Sequence, residues 1–322
     1  MTDALNNGWS AVSRFPLPAP RSSLPTPHSP LLAPLYNPPM LPPLRQRIVL
    51  TLSLILGGAC LWPMGDGHAV VDAGPWLLRG EGVMLVVLAL PAVALGLIAS
   101  AAGHPGAGLF VLAVSLLMPA MVGGPIDPWL LRLESPGAFT AMAVESLAYA
   151  GLIAAYAVVI RALRPKLRGA LPGPLRSEHL GSDDPWRLQP ASIATTLGAM
   201  VLVGGVFAWL LLRSSYTGQV TGGLLAAFVL AGLIVHSFVP RPSLLATAIA
   251  PCVVGAIGFL LVTVQFATAD DLLKAWFAGD LPGLALARPI DYASAGVAGG
   301  VMGAGLAQAL AHAREMHVQH AA

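Results

Sequence analysis

The chain has 322 residues, of which 56% are hydrophobic and only 10% charged, against about 25% charged in an ordinary soluble domain. That balance excludes a water-soluble globular enzyme, and it excludes disorder over most of the length, since disordered chains are rich in charge and poor in apolar residues. A net charge of +2, from 17 basic and 15 acidic residues, supplies no field for nucleic acid or acidic substrates, so an all-α polytopic membrane protein is the class that remains.

Residues 1–44 read as a disordered proline-rich tail. Eleven of the 29 prolines fall between Pro16 and Pro43, a density that no helix or strand ladder tolerates. No basic start followed by an apolar run and a small-residue cleavage site is present in that order, so the tail does not read as a secretory signal. Pro27-His28-Ser29-Pro30 has the spacing of a groove-binding PxxP ligand, a plain linker is the simpler alternative, and a third is that translation begins at Met40.

Beyond Arg47 the chain resolves into apolar runs of roughly 17–25 residues, the length that crosses a hydrocarbon core about 30 Å thick. Eight are expected, at 48–63, 83–101, 106–122, 138–160, 193–212, 220–239, 244–266 and 292–311. The third is the least distinct, because only Gly103-His104-Pro105 separates it from the second and the two could form a re-entrant hairpin. Spans one to four occupy 45–163, a proline-rich linker 164–190, spans five to eight 191–313, and a short tail 314–322.

Lys and Arg stay on the cytoplasmic side. With both termini inside, the inner segments hold Arg14, Arg21, Arg45, Arg47, Arg161, Arg164, Lys166, Arg168, Arg176, Arg187, Arg241 and Arg314, and the outer ones Arg79, Arg132, Arg213, Lys274 and Arg288. The 12-to-5 division favours an even number of crossings. Lys166 and Lys274 are the only lysines, and the Ala, Gly, Leu, Pro and Arg bias points to GC-rich bacterial coding, hence a bacterial inner membrane. In the outer loop 268–288, Thr268-Ala269-Asp270-Asp271 is a helix start with a hydroxyl cap and acids in the first turn. Leu272, Leu273, Trp276 and Phe277 follow on one face, so a short interfacial amphipathic helix is expected.

Ionisable groups inside a span are costly and default to functional candidates. Glu145 is the one acid that qualifies, about 9 Å inside the outer end of span four, with Tyr149 one turn deeper on the same face. It could relay a proton or cation, or pair structurally with an outer arginine such as Arg79 or Arg213. Arg213, Gln219, Thr221, Thr263, Gln265, Asp291, Tyr292 and Ser294 fall at the same level and could line an outward-facing polar vestibule, although polar residues are also ordinary at helix ends. His236 reads as interfacial.

Pro91, Pro119 and Pro251 interrupt spans two, three and seven, as in the broken helices of transporters or as simple kinks. In span eight, Gly296/Gly300 and Gly299/Gly303 form two GxxxG spacings that admit close approach of another span or another subunit, including a homo-oligomer through the last helix. Gly218 and Gly222 offer a similar notch. Cys60 and Cys252 lie apart without metal or redox spacing. No catalytic, metal-binding or cofactor motif is present, and no internal repeat is read. The expected function is a non-enzymatic membrane subunit or scaffold in the lipid bilayer, with a small-solute or ion permease using Glu145 as the alternative.

Overall fold

The protein, seen in a computed structural model, is described for residues 44–62, 75, 77, 81–171 and 189–321. Most of the proline-rich tail, the start-site question, Arg79 and residues 172–188 of the linker lie outside the described residues. Every regular element among them is helical, and the chain is an all-α membrane bundle.

The helices are α1 (Leu44–Leu61), α2 (Glu81–Ala102), α3 (Pro105–Val122), α4 (Asp127–Leu130), α5 (Ala138–Ala170), α6 (Pro190–Leu211), α7 (Thr217–Phe238), α8 (Leu244–Gln265), α9 (Ala269–Ala278), α10 (Pro289–Asp291) and α11 (Val297–Ala321). Seven segments are long and apolar enough to cross a bilayer: α2, α3, α5, α6, α7, α8 and the continuous stretch Pro289–Glu315. The first expected span folds as the shorter α1, whose apolar part is Gln46–Leu61. Its 18 residues reach roughly 27 Å at 1.5 Å per residue.

Antiparallel alternation is fixed by contacts at the two ends. At one end Arg164, late in α5, donates to the carbonyls of Ser100 (2.8 Å) and Gly103 (3.1 Å). There, too, Ser192 at the start of α6 donates to the Arg241 carbonyl between α7 and α8 (2.8 Å), and Thr196 Oγ1 accepts from the Ser243 amide (3.0 Å). This is the basic end. At the opposite end Ser215 donates to Asp127 Oδ2 (2.8 Å), and Arg288 reaches Ala120 at the end of α3. The re-entrant alternative for span three does not occur: α3 is a full helix, started by Pro105 and by His104, whose Nδ1 accepts from the Gly106 amide. Pro91, Pro119 and Pro251 sit inside continuous helices, so none of them divides a span into half-helices.

α2 and α6 turn most of their apolar surface outward, with Val83, Leu90, Leu202 and Trp209 all exposed. A water-soluble protein would not tolerate that surface, whereas lipid accepts it. The core lies instead between α5 and α8 and around the stretch that leads into α11, where every residue from Ala287 to Val301 is buried.

The glycines of α11 explain how it packs so deeply. A methyl group placed on Gly299 would come 2.5 Å from the Leu225 carbonyl oxygen of α7, and one on Gly303 would strike the carbonyl of Val229. α7 answers with Gly232, where a methyl would lie 2.6 Å from the Gly300 carbonyl oxygen. Gly296 faces Pro251 and Gly300 faces Thr247, both on α8. Of the two partners open to the glycine face, another span of the same chain is the one observed. Gly218 and Gly222 have nothing within 4 Å.

α9 forms with Thr268 as its cap, accepting from the Asp271 amide at 3.2 Å, and ends at Gly279 with φ 77°, a left-handed conformation that suits glycine. Leu272 is buried, but Phe277 is 74% exposed, so the apolar face is narrower than expected.

Candidate functional site

Two irregular features place polar groups in the interior beside α5. α10 does not run straight into α11: Tyr292–Gly296 forms one π-turn between them, a local widening that often accompanies functional positions. The chain before it, from the turn at Gly283–Ala285 to Arg288, folds inward against α6 and α8. Arg288 and Asp291 are thereby buried, each 3% exposed.

Arg288 and Asp291 form a bidentate pair. Nε donates to Oδ2 at 3.1 Å and Nη2 to Oδ1 at 2.8 Å, while the Arg288 backbone amide donates to Oδ2 at 2.7 Å. The carboxylate therefore caps the helix start and neutralises the guanidinium at once. Nη2 also donates to the Ala120 carbonyl on α3, which ties the entry of the last span to the end of the third. The next residue, Tyr292, donates its hydroxyl to the Leu284 carbonyl (2.6 Å), and its ring lies where a side chain on Gly255 of α8 would collide. Trp129, Phe139, Phe259 and Tyr292 continue as a chain of rings with successive centroids 5.1, 6.2 and 6.2 Å apart. All four rings are buried and wall the region with apolar edges.

Across from this pair, α5 presents Glu145, Ser146 and Tyr149, all buried. Their burial follows from α5 packing along α8, where Ser146 Oγ donates to the Cys252 carbonyl (2.7 Å). Glu145 and Tyr149 are each 2% exposed, and they stand one turn apart on one face. The Tyr149 hydroxyl makes no hydrogen bond, and its phenolic oxygen is in electrostatic reach of Glu145, Arg288 and Asp291. A buried hydroxyl without a partner carries the desolvation cost of roughly 1–3 kcal/mol, so its retention next to a carboxyl calls for an account.

The structure thus brings Glu145, Tyr149 and Asp291 together and adds Arg288, which by sequence belongs to an outer loop. Tyr292 and Ser294 are buried beside Asp291, whereas Arg213, Gln219 and Gln265 do not join them. Arg213 is exposed, with its guanidinium 5.5 Å from the Trp209 ring centroid, so the expected pairing of Glu145 with Arg213 is absent. Gln219 and Gln265 are exposed on α7 and α8. Each helix is turned by the neighbours it packs against, and their polar ends fall on outward faces. An outer vestibule built from Arg213, Gln219 and Gln265 is therefore corrected to a compact interior cluster of Glu145, Tyr149, Arg288 and Asp291. Thr221 is buried, and its hydroxyl also lacks a partner.

At the basic end, His236 Nε2 lies 2.8 Å from Thr247 Oγ1, which donates in turn to the Ser243 carbonyl (3.0 Å). His104, in the turn between α2 and α3, is within electrostatic reach of His236. Burial and the Arg164 guanidinium hold His104 down to about 4. Cys60 and Cys252 are free thiols.

Comparison with models of known protein families, with curated proteins and with solved structures gives no match.

Proposed function

We propose that this chain is a small-ion or proton-coupled permease whose working centre is Glu145 with Tyr149, held against the Arg288–Asp291 pair. The single observation that carries this reading is the burial of Glu145 beside an unsatisfied phenol in the interior of a membrane bundle. Ionisable groups are kept at such depth chiefly on ion and proton routes. Asp291 is committed to Arg288 through two side-chain hydrogen bonds and a backbone one, which makes Glu145 the carboxyl of the cluster proposed to take and release a proton. The Tyr149 hydroxyl is one turn away and can donate to the carboxylate or accept from the acid.

The bundle is read as seated in a bacterial inner membrane with eight crossings and both termini cytoplasmic. α1 supplies the eighth. Its packing on α2 and α3, with Gly57 against Ser115 and Gly58 against Met118, favours a crossing beside them, and the 12-to-5 division of basic residues sets the orientation.

A second reading is a non-enzymatic membrane subunit, favoured by the way Arg288 ties the last span to α3 as a structural clamp. Proteoliposomes separate the two. With a potassium diffusion potential imposed, wild-type protein should acidify or alkalinise the lumen faster than protein-free vesicles, and E145Q should abolish the difference while eluting at the wild-type volume. Equal proton movement by wild type and E145Q, or none by wild type, would remove the permease reading and leave the subunit.

A further inference from the structure

The geometry points to a second site, at the basic end of the bundle, that holds one anionic phospholipid. A cavity of about 480 Å³ lies between α3, the first turn of α8 and the later part of α11, within the usual range for ligand sites of about 300–1,000 Å³. Phe110, Leu244 and Val301 give it apolar walls, Gly305 forms a notch in its rim, and His104 and Gln308 are its polar members. Gly305 and Gln308 are exposed, so the cavity opens on the surface that this bundle offers to lipid.

His104 is fixed in one form. The Gly106 amide donates to Nδ1 at 3.1 Å, so in the neutral ring the proton sits on Nε2 and is free to be donated. The depressed pKa of about 4 keeps the ring in that state at physiological pH. Gln308 adds an amide that can also donate. Both suit the ester and phosphate oxygens of a lipid, while the apolar walls suit its acyl chain.

Charge selects the headgroup. Arg164 is in electrostatic contact with His104, and Arg161 and Arg168 lie one turn to either side of Arg164 on the same helical face. Arg161, Arg164, Lys166 and Arg168 on α5 and Arg314 on α11, against Glu315, make the described charges of these two helices at this end positive in sum. Basic pockets between spans on the cytoplasmic side are sites for anionic headgroups. A second cavity, of about 500 Å³ along α1, is lined by Leu54, Ile55, Gly58, Ala59, Trp62 and Met118. It has neither a histidine nor an amide side chain and supplies a contrast within the same molecule.

This site lies at the other end of the bundle from Glu145 and stands whether or not the permease reading does. The test is native mass spectrometry of the full-length chain in detergent, with dioleoyl phosphatidylglycerol or dioleoyl phosphatidylcholine added in equal amount. Wild type should retain the phosphatidylglycerol about tenfold better, the ratio that a modest charge-assisted contact provides. G305L should lose that retention, because a side chain at Gly305 enters open space and fills the groove without disturbing packed helices. G198L, the same change at an open position on exposed α6, should bind as wild type. R161Q/R168Q leaves the groove open and should lower phosphatidylglycerol retention to the phosphatidylcholine level. Equal retention of the two lipids by wild type would overturn the proposal, as would a G305L protein that keeps the preference.

Discussion

Replacing Gly303 with alanine tests whether α11 is held by close backbone contact with α7. The new methyl would strike the Val229 carbonyl, and it would lie 2.8 Å from the Leu233 amide nitrogen and 3.0 Å from the Gly232 Cα. All three are backbone atoms of α7, so none can rotate away. Carbon contacts are comfortable at about 3.5–4.0 Å, which means that the two helices must part by roughly 1 Å. Overpacking of this kind costs about 1–3 kcal/mol, offset by the roughly 1 kcal/mol that alanine gains over glycine in a helix. G305A is the internal control, two residues along the same helix with nothing within 4 Å, and there only the propensity gain remains. The propensity gain is common to both and cancels, so G303A should unfold more easily than G305A by about 1–3 kcal/mol, read from tryptophan fluorescence as SDS is titrated into mixed micelles. Coincident unfolding of the two variants would refute the close-contact account of the glycine face.

Two other perturbations probe the polar groups. R288M strands the Asp291 carboxylate in the interior and should cost about 3–5 kcal/mol, whereas R288M/D291L removes both charges and should recover most of that loss; a double variant no more stable than R288M would show that the pair does not act as a unit. His104 has an unfolded value of 6.5 and a folded value of about 4, so the unfolded state binds its proton first. Its contribution to stability is complete above pH 6.5 and is lost as pH falls from there to about 4, amounting at most to roughly 3 kcal/mol. H104N keeps a good helix cap without the titration. Its melting temperature should fall less than that of wild type between pH 7.5 and 4.5, and parallel curves would exclude His104 as the source.

The layout was legible because hydrocarbon thickness imposes a length, and a chain that repeats that length between polar breaks announces its crossings. α1 is the instructive exception. Arg45 and Arg47 fall within its first turn, so the apolar stretch alone is short even though the helix is nearly long enough. The small-residue face of the last span was equally visible, since GxxxG needs no partner to be recognised. Its complement was not: Gly232 stands apart from the other glycines of α7 with no GxxxG spacing to mark it, and only the crossing of the two helices gives it a role.

The interior cluster divides along similar lines. Glu145 stood out as the lone acid in an apolar run, and Tyr149 followed from the helical repeat. Arg288 and Asp291 did not, because three residues apart at the start of a span they resemble ordinary interfacial charges, and the inward fold of the preceding loop is a tertiary event. One signal was available. Pro-Ile-Asp occurs at 125–127 and again at 289–291, ahead of α5 and of α11, and the isoleucine is buried in both places, Ile126 at 1% and Ile290 at 3% exposed. In the first copy the aspartate meets Ser215, and in the second it meets Arg288.

Those two copies also bear on function. The case for a scaffold rested on scarce buried charge and on a glycine face open to a partner. The structure adds a buried ion pair to the first and occupies the second with α7 and α8 of the same chain. What remains is the Tyr149 phenol, which has no hydrogen-bond partner, in a protein that satisfies Ser146, Tyr156 and Tyr292 with backbone carbonyls nearby. Among the described residues, Tyr149 is thus the buried phenol left open next to Glu145, and the permease proposal stands on that departure from the satisfied phenols of Tyr156 and Tyr292.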